Sequence, residues 1–202
     1  EALVQTLEPP EIRKSIYPII RISHDVARET AQIADADRTD LILVGWHRPA
    51  FSDNRLGGRV GKILNTAPVD VAVFVDKESS NWKTLLVPYS ENRHDDLGLS
   101  LALRMLLNDP DRRVKILRLA GNEATDEFSY EFRNTIDLLP PDVHSRVEIA
   151  VLSGSDPVQG TIDASRYADL TIAGTSPAWG IERQTLGRYT DRLARECYSS
   201  LL

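Results

Sequence analysis

The sequence predicts an α/β fold, a doubly wound and largely parallel sheet, on three observations. Apolar runs of strand length alternate with amphipathic helical stretches along the chain. Several of the runs are near-continuous Val, Ile and Leu, as strands covered on both faces of a parallel sheet require. One strand-loop-helix unit also occurs twice.

The elements follow in order. Tyr17–Ile22 reads as the first strand, and Val26 with Ile33 marks the helix after it. Leu41–Trp46 and Val69–Val75 are the next two strands, with a helix opening at Gly58 between them. Asp76–Trp82 is polar and aperiodic, so it is a linker. Thr84–Tyr89 then starts a second series. Leu97, Leu101 and Met105 draw an apolar stripe on the helix that follows, and Val114–Leu119 is the next strand. Phe128, Phe132, Ile136 and Leu139 draw a second stripe. Val147, Ile149 and Val151 alternate with their neighbours, the pattern of a strand near a sheet edge. A short helix with Val158 and Ile162, a strand at Leu170–Ala173 and a helix with Tyr189, Leu193 and Cys197 complete the chain.

Composition bounds the function. The chain has 202 residues, 42% of them hydrophobic and 27% charged, which is ordinary for one globular domain or two small ones. No apolar run approaches the ~20 residues of a spanning helix, and no signal peptide precedes the first elements. The net charge of -6 disfavours nucleic acid as a partner. A lone Cys197 leaves no disulfide framework or thiolate zinc site, and points to a reducing, cytoplasmic setting. The chain starts at Glu1 rather than Met, and reads as part of something longer.

The repeat carries the chemistry. TDLILVGWHRPAFSDNRLGGRVGKIL and ADLTIAGTSPAWGIERQTLGRYTDRL align without gaps. Asp40 matches Asp169, Leu41 matches Leu170, Gly45 matches Gly174, Gly58 matches Gly187, Arg59 matches Arg188 and Leu64 matches Leu193. A buried strand ends at one glycine, and a second opens a helix whose free amides form an anion site. Ligands of such sheets sit at the carboxyl ends of the strands. Gly57 and Gly58 allow close backbone approach to a phosphate, with Arg48, Arg55 and Arg59 adding positive charge. Gly187, Arg188 and Arg183 offer the same in the second copy.

This unit resembles the universal stress protein domain, whose nucleotide-binding members carry G-x2-G-x9-G-[ST] after the fourth strand. Gly45 and Gly58, and again Gly174 and Gly187, fit its first and third glycines. APVDVAVFVD is similar to the family's fifth strand, and KTLLVPYSENR to its first. The resemblance implies two tandem lobes, residues 1–76 and 81–202. It implies a sheet order 3-2-1-4-5, with the first lobe lacking its opening β-α-β and the second its closing strand. An adenine nucleotide is the cofactor it implies. The departures are specific: Arg48 and Pro177 replace the second glycine, Arg59 and Arg188 the Ser/Thr, and Ser90 the aspartate that meets adenosine. The arginines suit another small anion as well.

GWHRP, followed by an arginine after the third glycine, resembles the cytosolic tail of cyanobacterial-type cation/proton antiporters. That likeness implies a regulatory domain attached to a membrane transporter and lying on its cytoplasmic side. Its lobes would pair as a homodimer or pseudo-dimer through Val69–Val75. The other readings are an ATP-binding universal stress protein with weak ATPase activity and a purely structural dimerisation module.

No catalytic group and no metal site emerge. His24, His47, His94 and His144 are scattered loop residues, with no second ligand at metal spacing. Ser23, Ser90 and Ser176 lack any nucleophile signature and suit turns or caps. Asp95 and Asp96 begin a helix, where negative charge is favourable. Trp46 and Trp179 are loop-packing residues or walls for a base, and Cys197 is buried and inert.

Overall fold

The computed structural model describes residues 14–46, 57–79, 81–120, 128–153, 156–175 and 188–202. Helix α1 spans Val26–Ala36, β1 Leu41–Gly45, α2 Gly57–Thr66 and β2 Asp70–Phe74. Then come β3 (Thr84–Tyr89), α3 (Arg93–Leu107), β4 (Arg113–Ala120), α4 (Tyr130–Asp137), the single turn α5 (Pro141–His144) and β5 (Val147–Ser153). Helix α6 (Pro157–Ala164), β6 (Leu170–Thr171), α7 (Arg188–Glu196) and β7 (Ser200–Leu201) complete the order. The helix starts are written in the sequence. Asp25, Asn92, Ser129 and Asp156 each accept a first-turn amide, at 3.2, 2.9, 3.1 and 3.0 Å.

Two parallel sheets form. One is β1 beside β2, with Leu41 opposite Asp70 and Gly45 opposite Phe74. The other runs β5-β4-β3-β6-β7. Its strand order reverses direction between β3 and β6, where Leu85 and Leu86 face Leu170 and Thr171. The sheets meet at Val75 and Leu201, an antiparallel bridge with N–H···O distances of 2.8 and 3.0 Å. The main core joins Leu85, Val87, Ile116 and Leu170 with Leu99, Leu103 and Leu106 of α3 and Phe132 and Ile136 of α4. A second cluster gathers Val158, Ile162, Leu193 and Cys197 around Val75 and Leu201.

Four expectations change. Tyr17–Ile22 is not a strand: Ile20 is 91% and Ile22 100% exposed. Pro18 lacks the amide a ladder needs, and no neighbouring strand reaches this run. On α1 the buried pair is Ala27 and Ala34, while Val26 is exposed. On α3 the inward face is Gly98, Leu99, Ala102, Leu103 and Leu106, and Leu97, Leu101 and Met105 lie half-buried on its flank. The second sheet also has a closing strand, β7, although none was expected. Two residues are too short a run for periodicity to reveal, and their place comes from hydrogen bonds to β6 and Val75.

The repeat aspartate has a structural task. Asp169 Oδ2 accepts the amides of Lys83 and Thr84 at 2.9 and 2.8 Å, which ties the entry of β3 to β6. Its counterpart Asp40 is exposed beside β1, which pairs with β2 alone among the described strands. Asp169→Ala leaves the Thr84 amide without its acceptor and the Lys83 amide with only the Asn81 carbonyl, so a loss of about 1–2 kcal/mol in urea unfolding is expected. Asp40→Ala should change stability by less than about 0.5 kcal/mol. Equal losses from the two substitutions would contradict the assignment.

Candidate functional site

The crevice between the carboxyl ends of β3 and β6 is the switch point where a sheet of this order admits a ligand. Three segments build it: Ser90–Asn92 after β3, the first turn of α3, and Ile172–Thr175 after β6. Glu91 has φ 59, a left-handed conformation that turns the chain from β3 into α3. Asn92 then caps the helix and places Asp95 inside the crevice, 4% exposed.

Asp95 fills this space. Its Oδ2 accepts the Ser90 amide at 2.7 Å, the Ser90 hydroxyl at 2.9 Å and Asn92 Nδ2 at 2.6 Å. Gly174 closes on it from β6. A Cβ at Gly174 would stand 2.4 Å from Asp95 Oδ1 and 2.6 Å from the Asp95 amide nitrogen. Burial raises the Asp95 carboxyl above its ordinary value, and the Ser90 hydrogen bonds pull in the opposite direction. Such a group stabilises the fold fully below 3.8 and loses that contribution as pH rises through its raised value. The stability of Asp95→Asn relative to wild type should therefore improve from pH 4 to pH 7 in urea melts. Parallel pH curves for the two proteins would contradict this placement of the charge.

Beside the crevice, Tyr89 donates to Asp96 Oδ1 at 2.6 Å, and burial raises its hydroxyl pKa strongly. Arg118 of β4 is 8% exposed and meets Glu91 Oε1 at 3.1 Å. Its guanidinium lies 4.6 Å from the Phe128 ring centroid, and Phe128 stacks on Phe132 at 4.0 Å. Glu91 Oε1 also accepts the Ser129 amide at 2.8 Å, which joins the turn after β3 to α4. This side of the crevice is packed by the chain's own aromatic and charged groups.

Of the residues singled out in the sequence, Ser90 and Gly174 are brought together, with Asp95 between them. Gly45 ends β1 with open space around it, unlike its repeat partner. Gly57, Gly58 and Arg59 form the first turn of α2, and Arg188 begins α7. Arg48, Gly187, Arg55, Arg183, Pro177, His47, Ser176 and Trp179 lie outside the described residues. Trp46 packs on Val60, Leu64 and Val73 and donates its amide to the Phe74 carbonyl at 2.7 Å, a packing role. His94 is half-buried in the first turn of α3 rather than solvated, because the turn packs against the end of β6. Cys197 is buried, and burial raises its thiol pKa.

Sequence reasoning missed Asp95 as anything beyond a helix start, and it missed Arg118 and Thr190 altogether. Among the described residues, no group of three His, Cys, Asp or Glu side chains is placed to hold a metal ion. At the end of β3 the Ser90 amide and hydroxyl are already engaged by the Asp95 carboxylate.

Comparison with known proteins agrees with this architecture. The profile of the universal stress protein family matches residues 2–74. The Na(+)/H(+) antiporter NhaS5 of Synechocystis sp. is 20% identical over 196 residues, which covers 95% of this chain. The chain spans 28% of that relative's length. Among solved structures, a functionally unknown protein from Pseudomonas aeruginosa PAO1 superposes with a TM-score of 0.58 at 12% identity. A protein described as a universal stress protein from Pseudomonas aeruginosa UCBPP-PA14 gives 0.53 at 14%. Each match covers 99% of this chain and 74% of the other. The family's profile matches residues 2–74, and the α/β fold of these two solved structures extends over nearly the whole chain.

Proposed function

We propose that the chain is a non-catalytic regulatory module of a cation/proton antiporter and works on the cytoplasmic side of the membrane. The observation that carries this reading is the antiporter match, which runs through almost the whole chain rather than one motif. The module is two universal stress protein-like lobes, residues 1–76 and 81–202, joined as a pseudo-dimer at Val75 and Leu201. In the first lobe β1 pairs only with β2 among the described strands.

In this reading a change in how the lobes meet at the Val75–Leu201 bridge shifts the transporter between two states. A ligand acts only through unequal affinity for the two arrangements. The glycine-rich loop of the first lobe, with Gly45, Arg48, Gly57, Gly58 and Arg59, is the proposed site for a small anion. In the second lobe Gly187 and Arg188 keep the anion-binding pattern, and the Asp95 carboxylate holds the Ser90 donors.

The test is the full-length gene product, expressed in a bacterial host that lacks its own sodium/proton antiporters. The expected result is a membrane-fraction protein that restores growth at high sodium. A gene product that stays in the soluble fraction and restores no growth would overturn the reading.

A further inference from the structure

Between β2 of the first sheet and the β6–β7 end of the second lies a cavity of about 90 Å³. Val71 and Val73 wall it on one side, and Leu97, Leu101 and Leu201 on the other. One end is polar, and there Thr190 of α7 lines the cavity. Thr190 is 4% exposed, and its hydroxyl has no hydrogen-bond partner. A buried hydroxyl without a partner is costly. Helical threonines often avoid this by bonding the carbonyl four residues back, and the Thr190 hydroxyl makes no such bond.

We propose that this cavity is a binding site for a compact neutral molecule with an apolar body and one hydrogen-bonding oxygen, held by Thr190. Size follows from volume: a cavity of about 150 Å³ hosts benzene, so this one takes about four heavy atoms. Neutrality follows from the described lining residues, of which His94 is the one ionisable group and none is a carboxylate, ammonium or guanidinium. Asp95 lies directly behind Gly174 at the polar end and disfavours an anion. The molecule would touch both sheets, so its binding would stiffen the junction at Val75 and Leu201. The site itself stands on the cavity and Thr190 and does not depend on the antiporter reading.

Methyl NMR of the 202-residue protein tests it, with propan-1-ol as the polar probe and xenon as the apolar one. Propan-1-ol should give saturable shifts confined to the Val71, Val73, Leu97, Leu101 and Leu201 methyls. Thr190→Val should weaken propan-1-ol about tenfold and leave xenon unchanged, and Val73→Phe should block both. Non-saturable shifts, or propan-1-ol binding equally well to Thr190→Val, would overturn the proposal and leave a packing void that holds water only. The Thr190→Val comparison decides the matter even if Val73→Phe fails to fold.

Discussion

Gly174→Val should destabilise the protein by about 3 kcal/mol, while Gly45→Ala, its repeat counterpart, should change stability by less than about 0.5 kcal/mol. The difference lies in what each glycine faces. Any side chain at Gly174 meets backbone as well as carboxylate, because the Asp95 nitrogen and the His94 carbonyl carbon lie 2.6 and 2.7 Å from its Cβ position. Backbone at the start of a capped helix cannot step aside without breaking the Asn92 cap and the Ser90–Asp95 bonds. Gly45 has nothing within 4 Å of the same position. Urea unfolding of the two variants measures the contrast. Similar small losses for both would show that α3 does not press against the end of β6.

Leu201→Glu is expected to cost about 3–5 kcal/mol, and to do so at the junction of the two sheets rather than throughout the molecule. Leu201 is 3% exposed, packs with Val75, Val158, Ile162 and Leu193, and bonds Val75 in both directions. A carboxylate there would be buried among apolar groups without a cation. Strand β7 is only two residues long, so losing Leu201 removes its pairing with both β6 and Val75. The Lys77 amide bond to Ser200 Oγ, at 3.1 Å, should go with it and free the linker between the sheets. Hydrogen exchange should show faster exchange at Val75 and Leu201 and increased proteolysis within residues 76–82. The amides of Leu85 and Ile116, deep in the other cluster, should stay protected. Unchanged protection at Val75 would contradict the role given to this bridge.

Much of the fold was legible because its strands are buried on both faces. Leu85, Leu86 and Val87 are a continuous apolar run, each fully buried, and Val114 and Ile116 of β4 are buried beside them. Strand β5 lies at the sheet edge as the alternation suggested, yet Ile149 and Val151 are exposed and Ala150 and Leu152 are the half-buried positions. Tyr17–Ile22 misled because an apolar run specifies a strand only where another strand can receive its amides. β7 was invisible for the opposite reason: Ser200 and Leu201 take their conformation from long-range partners.

At the candidate site, the repeat singled out Gly45 and Gly174 as the glycines that end their strands. It could not say that Gly174 faces a carboxylate while Gly45 faces open space. Asp169 was visible as a repeated residue, but its task appears only once β3 and β6 lie side by side. Arg118 and Thr190 carry no local pattern at all, since burial alone makes them unusual.

Sodium/proton exchange in everted membrane vesicles tests the central claim most directly, with the full-length gene product compared against the same protein carrying Leu201→Glu. The account predicts that both exchange sodium for protons, and that the variant's dependence on pH or sodium is displaced from that of the wild type. Identical dependence in the two proteins, with the variant's junction shown open by hydrogen exchange, would contradict a regulatory role for this region.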